Sequence, residues 1–138
     1  MSHNPNSNQP FSGRSVLESL LEAFYAGDME VVSALLSPDV TVHQSDNLPY
    51  SGEWKGVSGF FDMATTLGSN FEIENLSRRI IEQGNEAVLF LDLKFTSRKT
   101  GKVGYTTNLE WYTFEDGKIA DINVYYKDAV VISALNDE

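Results

Sequence analysis

His43 and Glu110 are the residues of this chain best suited by type to move a proton. An imidazole titrates near neutrality, so His43 could shuttle a proton between carbons or activate water. It closes the short β-rich run Val40-Thr41-Val42-His43. Glu110, if it faces a pocket, would lose solvation. Its pKa would then rise, and it could act as an acid or donate to an oxyanion. A His43–Glu110 pair is the sharpest catalytic arrangement on offer. Each residue also has an ordinary reading. His43 can be a locally hydrogen-bonded surface or core histidine, and Glu110 a carboxylate on an outer sheet face, near Lys94 or at a dimer interface. Tyr50, Trp54, Trp111 and Tyr126 combine apolar bodies with polar tips. Together with Phe60, Leu109 and Val124 they are the candidates to grip a flat organic molecule, or simply to pack a core.

Composition narrows the chemistry further. The 138 residues contain no cysteine and two histidines, His3 and His43. Disulfides and thiolate catalysis are excluded, and no metal site or cofactor is expected. The net charge of −10 argues against nucleic acid and anionic membranes, which need a basic face. No apolar run approaches the ~18–20 residues of a membrane span. The opening Met1-Ser2-His3-Asn4-Pro5-Asn6-Ser7-Asn8-Gln9-Pro10 has no apolar core of a secretory signal. The expected compartment is the cytoplasm. The length suits one domain over 13–138, after a disordered tail over 1–12 rich in Asn, Ser and Pro.

The elements that must position these residues follow from periodicity. Val16, Leu17, Leu20, Leu21 and Phe24 mark one face of a helix over Gly13 to Ala26, stopped by Gly27. Asp28 suits the cap of a second helix carrying Val31, Val32, Leu35 and Leu36, which Ser37-Pro38-Asp39 ends. Asp46 to Gly56 reads as a loop, and Val57, Phe60, Phe61, Ala64 and Leu67 as a third helix. Phe71 to Glu82 is extended. Val88–Thr96, Val103–Phe114 and Ile119–Tyr126 then form two successive hairpins, the second turning at Asp116-Gly117.

Pairing arithmetic splits this sheet into two faces. A two-residue turn at Asp116-Gly117 sets Trp111 opposite Ile122 and Leu109 opposite Val124. A three-residue turn ending at Gly101 sets Leu91 beside Leu109. One face then collects Leu89, Leu91, Leu93, Phe95, Leu109, Trp111, Ile122, Val124 and Tyr126, and this face should meet the helices. Asn108, Glu110, Tyr112, Asp121, Asn123 and Tyr125 share the outer face, whose tyrosines suit a protein–protein contact. A one-residue slip in either turn would exchange these assignments.

Three segments carry a resemblance. Phe24-Tyr25-Ala26-Gly27-Asp28-Met29-Glu30 followed by Leu35-Leu36-Ser37-Pro38-Asp39-Val40 resembles the opening of nuclear-transport-factor-2-like proteins. Leu48-Pro49-Tyr50-Ser51-Gly52, with Gly56-Val57 and Phe60-Phe61, is similar to the linker and third helix of their SnoaL-like, ketosteroid-isomerase-related branch. Phe114-Glu115-Asp116-Gly117-Lys118-Ile119 and Asp128 resemble its closing hairpin. The resemblance implies an α+β cone: three helices on a strongly curved, mostly antiparallel sheet enclosing a hydrophobic pocket. It implies a small hydrophobic ligand and a homodimer through the outer sheet face. Isomerases, dehydratases, polyketide cyclases, hydrolases and non-catalytic binding modules share this fold, so the fold alone does not choose among them. Matched to ketosteroid isomerase, the oxyanion tyrosine falls on Leu20 and the general base on Gln44, neither able to do the job. The second oxyanion acid falls on Glu110, while His43 sits beside the base position. The acid of polyketide cyclases falls near Val124. The expectation is cofactor-free isomerisation, cyclisation, dehydration or hydrolysis with His43 as base and Glu110 or Tyr126 as donor. A ligand- or protein-binding module is the alternative.

Overall fold

In the computed structural model, which describes residues 11–138, Ser12 opens the first helix, α1 (Gly13–Ala26). Its hydroxyl accepts the Ser15 N–H at 3.3 Å, satisfying one of the donors a helix leaves unpaired in its first turn. Gly27 ends α1 in the left-handed conformation, at φ +73°, where a glycine carries no Cβ penalty. Asp28 caps α2 (Met29–Leu35) by accepting the Val31 N–H at 3.2 Å. Phe11 packs on Phe114 with ring centroids 5.1 Å apart. Phe11 and Ser12 therefore contact the domain, and the rest of the expected tail lies outside the described residues.

The chain passes from α2 directly into β1 (Leu36–Gln44). Leu36, expected on the second helix, and Ser37-Pro38-Asp39, expected to end it, all belong to this strand. Pairing with β6 is interrupted between Leu36 and Thr41, so Pro38 falls where its missing N–H costs no ladder bond. The expected loop contains a short strand, β2 (Gly52–Lys55), whose Trp54 pairs with Val42. Then follow α3 (Gly56–Asn70), β3 (Phe71–Gln83), β4 (Glu86–Ser97), β5 (Val103–Glu115), β6 (Lys118–Tyr126) and a short α4 (Ala129–Ala134). The strands form one open sheet in the order β2-β1-β6-β5-β4-β3, with only β1 and β6 parallel. This is the expected α+β cone, with α4 as an added helix. Its Ala-Val-Val-Ile start is β-branched and hides the helix from a propensity reading. Asp128 caps it, and Ile132 is fully buried.

One strand departs from the expected facing. Leu89, Leu91, Leu93 and Phe95 of β4 are buried, as are Ile122 and Val124 of β6. β5 is shifted by one residue against both neighbours. Leu91 pairs with Asn108, not Leu109, because Ser97 and Lys102 close the turn and leave four residues between them rather than three. Glu115 does pair with Lys118, but Ala120 is an extra residue between the pairs Phe114–Ile119 and Thr113–Asp121. Beyond that bulge Tyr112, not Trp111, lies opposite Ile122. Both departures act in the same sense. Side chains alternate along a strand, so Asn108, Tyr112 and Phe114 turn inward while Leu109 and Trp111 turn outward. No helix among the described residues is long and apolar enough to cross a membrane.

Candidate functional site

A cavity of about 390 Å³ lies between the helices and the concave face of the sheet. Leu20 and Phe24 of α1, Phe60 and Met63 of α3, and Leu91 and Phe95 of β4 supply much of its apolar wall. The volume falls within the range of ordinary small-molecule sites, which are mostly apolar with a few placed polar groups. Here the polar groups inside are Gln44, Asn108, Glu110, Tyr112 and Tyr126, with Arg98 at the edge.

Asn108, Glu110 and Tyr112 are successive inward positions of β5, as the two-residue period of a strand requires. The Tyr112 hydroxyl donates to Glu110 Oε1 at 2.6 Å. Burial raises the Glu110 pKa, and the Tyr112 bond opposes that rise in part by favouring the carboxylate. Burial, and then the nearby Glu110 charge, push the Tyr112 hydroxyl well above its usual range. Tyr112 thus stays protonated and remains a donor. No side chain among the described residues donates to Glu110 Oε2. Among the described residues, the buried side-chain polar atom left without a partner is instead Gln44 Oε1. Oε2 is therefore the face of the carboxyl that a molecule in the cavity can reach.

A second polar group stands behind this one. The Tyr50 and Tyr126 hydroxyls are 2.7 Å apart, either able to donate. Tyr50 is fully buried and does not line the cavity; it holds Tyr126, which does. Burial raises both phenols. Thr106 donates to Asn108 Oδ1 at 3.0 Å, which fixes the neighbouring amide. Trp54 is also outside the cavity. Its indole N–H donates to the Tyr50 carbonyl at 3.0 Å and pins the segment that carries Tyr50.

His43 is not part of this site. Val42 and Gln44 line the cavity, so the residue between them points to the opposite face of β1. There His43 Nε2 lies 2.9 Å from Asp121 Oδ1 and Nδ1 lies 3.1 Å from Glu53 Oε1. His43 and Glu110 are on opposite faces of the sheet, and the paired acid/base arrangement does not exist. Leu109 and Trp111 are likewise outside, 38% and 40% exposed, with the Trp111 indole N–H donating to Glu86 at 3.0 Å. Of the residues expected to touch a ligand, Phe60, Val124 and Tyr126 line the cavity. Tyr112, Asn108, Gln44 and Arg98 were not anticipated. The alternation of Gln44 with Val40 and Val42 was a usable signal for Gln44. Nothing local marks the β5 group, because the alternate phase of the strand, with Leu109 and Trp111, is the more apolar one. Among the described residues, no group of three His, Cys, Asp or Glu side chains is arranged to hold a metal ion.

The chain matches the SnoaL-like domain over residues 17–122. Its structure is similar to an NTF2-like protein of unknown function from Burkholderia pseudomallei K96243, at 21% identity and a TM-score of 0.81, covering 91% of this chain and 97% of that one. An NTF2-like protein from Burkholderia xenovorans LB400 superposes with a TM-score of 0.84 at 14% identity, covering 94% and 100%. TerC, co-crystallised with polyporic acid, gives 0.79 at 20% identity, covering 90% and 97%. No curated protein matches the sequence. Identities this low establish the fold and not the activity.

Proposed function

The chain belongs to the SnoaL-like domain family, and from that premise we propose that its cone binds a small hydrophobic molecule on which Glu110 performs cofactor-free proton transfer. The observation that carries this reading is a carboxyl group in an apolar cavity, its pKa raised by burial and one oxygen held by Tyr112. A carboxyl moved toward neutrality can take and return a proton at working pH, which an exposed glutamate does poorly. Glu110 Oε2 would accept a proton from carbon next to a carbonyl, while the Tyr126 hydroxyl donates to the oxygen on which charge develops. Tyr50 holds Tyr126 in place for that task. Isomerisation, cyclisation and dehydration all use such a step. The co-crystallisation of TerC with polyporic acid supports an organic ligand for a cone of this type. His43, outside the cavity, has no part in the reaction.

The test uses β-tetralone, an apolar bicyclic ketone with exchangeable protons next to its carbonyl. Wild-type protein in heavy water is expected to accelerate deuterium uptake at that carbon, followed by NMR. Glu110→Gln should lose about 10²–10⁴ of the acceleration, the usual contribution of a positioned acid or base. No acceleration by the wild type, or an equal one by Glu110→Gln, would refute the assignment.

The outer sheet face supports a second copy of the chain as partner. Leu109, Trp111 and Tyr125 remain 38%, 40% and 52% exposed. Leu109 pairs with Tyr125 and Phe90, and Trp111 with Val88 and Asn123, so the apolar groups are contiguous. Charges of both signs, from Arg79, Lys127, Asp92 and Asp121, lie on or beside the same strands, as a self-complementary twofold contact needs. Sedimentation should give a dimer for the wild type and a monomer for Trp111→Glu. A wild type that stays monomeric at high concentration sinks this assembly.

A further inference from the structure

The edge of the cavity carries its one cation. Among the described residues that line it, Arg98 is the only positively charged side chain and Glu110 the only carboxyl. Arg98 sits in the β4–β5 turn and is held against the end of α3. Its backbone N–H donates to the Asn70 carbonyl at 3.0 Å, and its Nε to the Gly68 carbonyl at 2.5 Å. Carbonyls at a helix C-terminus are left unpaired by the helix and favour a cation. The guanidinium is thus fixed by its root and by one of its five donors. Glu72 Oε1 forms an exposed ion pair with Nη1 at 3.9 Å, longer than a hydrogen bond and weak enough for a ligand carboxylate to compete with it. The four remaining N–H groups make no hydrogen bond with the described residues. The side chain is 49% exposed, so it stands at the opening, beside Gly68 and Ile73.

We infer that the cone takes an elongated apolar carboxylic acid, whose carboxylate docks on the Nη donors of Arg98 at the rim while its apolar body extends toward Glu110. This rests on the reading of the cavity as a small-molecule site and names the ligand class for it. A guanidinium fork matches the two oxygens of a carboxylate in one plane. Length follows from the strand positions. Glu110 pairs with Leu89, near the start of β4, whereas Arg98 follows Ser97, its last residue. The two polar ends are therefore separated by most of a strand, and one compact ring cannot touch both. A single cation suits a monoanion. Lys94, which shares the outer groove with Arg98, does not line the cavity, so a doubly charged phosphate would find no second partner there. The overall charge of −10 repels anions at a distance, and a cation at the opening offsets that repulsion where the carboxylate arrives.

The experiment compares a naphthyl-capped hexanoate with its carboxamide, equal in shape and differing in charge, by naphthyl fluorescence titration. The acid should bind wild type about tenfold more tightly than the amide, the size of one partly exposed charge-assisted contact. Arg98→Gln should bring the two affinities together by weakening the acid and leaving the amide's Kd in place, which also reports that the cone is intact. Added salt should weaken the acid and not the amide in the wild type. If both ligands bind and their ratio is the same in wild type and Arg98→Gln, the role of Arg98 is refuted while the cavity reading stands. If neither ligand binds the wild type, the cavity reading fails and the inference falls with it.

Discussion

Replacing Gln44 by methionine should stabilise the protein. Gln44 Oε1 is buried, out of reach of water, and accepts no hydrogen bond. Leaving an amide carbonyl in that state costs about 1–3 kcal/mol. The amide nitrogen recovers part of this through a contact to Met63 Sδ at 3.3 Å, but thioether sulfur is a weak acceptor and returns about 0.5 kcal/mol. Methionine has nearly the same length and volume, so neither a cavity nor overpacking is created. The balance is a gain of about 1 kcal/mol, or roughly 3–6 °C in Tm for a domain of this size. Urea titration is the suitable assay. The midpoint should rise at unchanged slope, since the surface exposed on unfolding is the same. A midpoint equal to or below that of the wild type would refute the reasoning, because it would mean that the Gln44 carbonyl is satisfied in solution.

Three further expectations follow from the same packing. Glu110→Gln should become progressively more stable than the wild type as pH rises. Folding raises the Glu110 pKa, so protonation favours the native state below the ordinary carboxyl value, and that advantage is lost as pH climbs through the raised one, at about 1.36 kcal/mol for each pH unit between the two. Denaturation of both proteins across the acid-to-neutral range checks it, and a gap independent of pH would contradict it. Tyr50→Phe removes the hydroxyl 2.7 Å from that of Tyr126 and should cost about 1–2 kcal/mol in chemical denaturation. Gly13→Ala places a Cβ 2.8 Å from Phe114 Cε2, a clash that should cost about 1–3 kcal/mol in the same assay, whereas a neutral result would show that the Phe114 ring swings aside freely.

Much of the cone was legible in the order of the residues. The end of α1 follows from Gly27, and the start of α2 from Asp28, because caps and stops are local hydrogen-bond events between residues a few positions apart. The inward faces of β4 and β6 were readable because Leu89, Leu91, Leu93 and Phe95, and Ile122 and Val124, alternate without interruption. His43 was legible as a titratable group but not as a cavity residue. Val40 and Val42, on either side of Thr41, are buried positions of β1, and that alternation already implied that His43 points away.

The sequence by itself determined the first three helices, the Gly27 stop of α1 and the Asp28 cap of α2, the hairpins and the α+β class, since each of these rests on short-range periodicity and turn chemistry. Only the tertiary structure decided the phase of β5. The extra residue at Ala120 and the one-residue-longer turn after Ser97 change little locally, yet a single slip inverts every side chain of a strand. The choice is made by packing far along the chain: Phe114 closes against Phe11 and Gly13, and Tyr112 is buried in the cone rather than Trp111. That packing placed Glu110 inside the cavity and left Leu109 and Trp111 on the outer face, which no pattern within β5 could show.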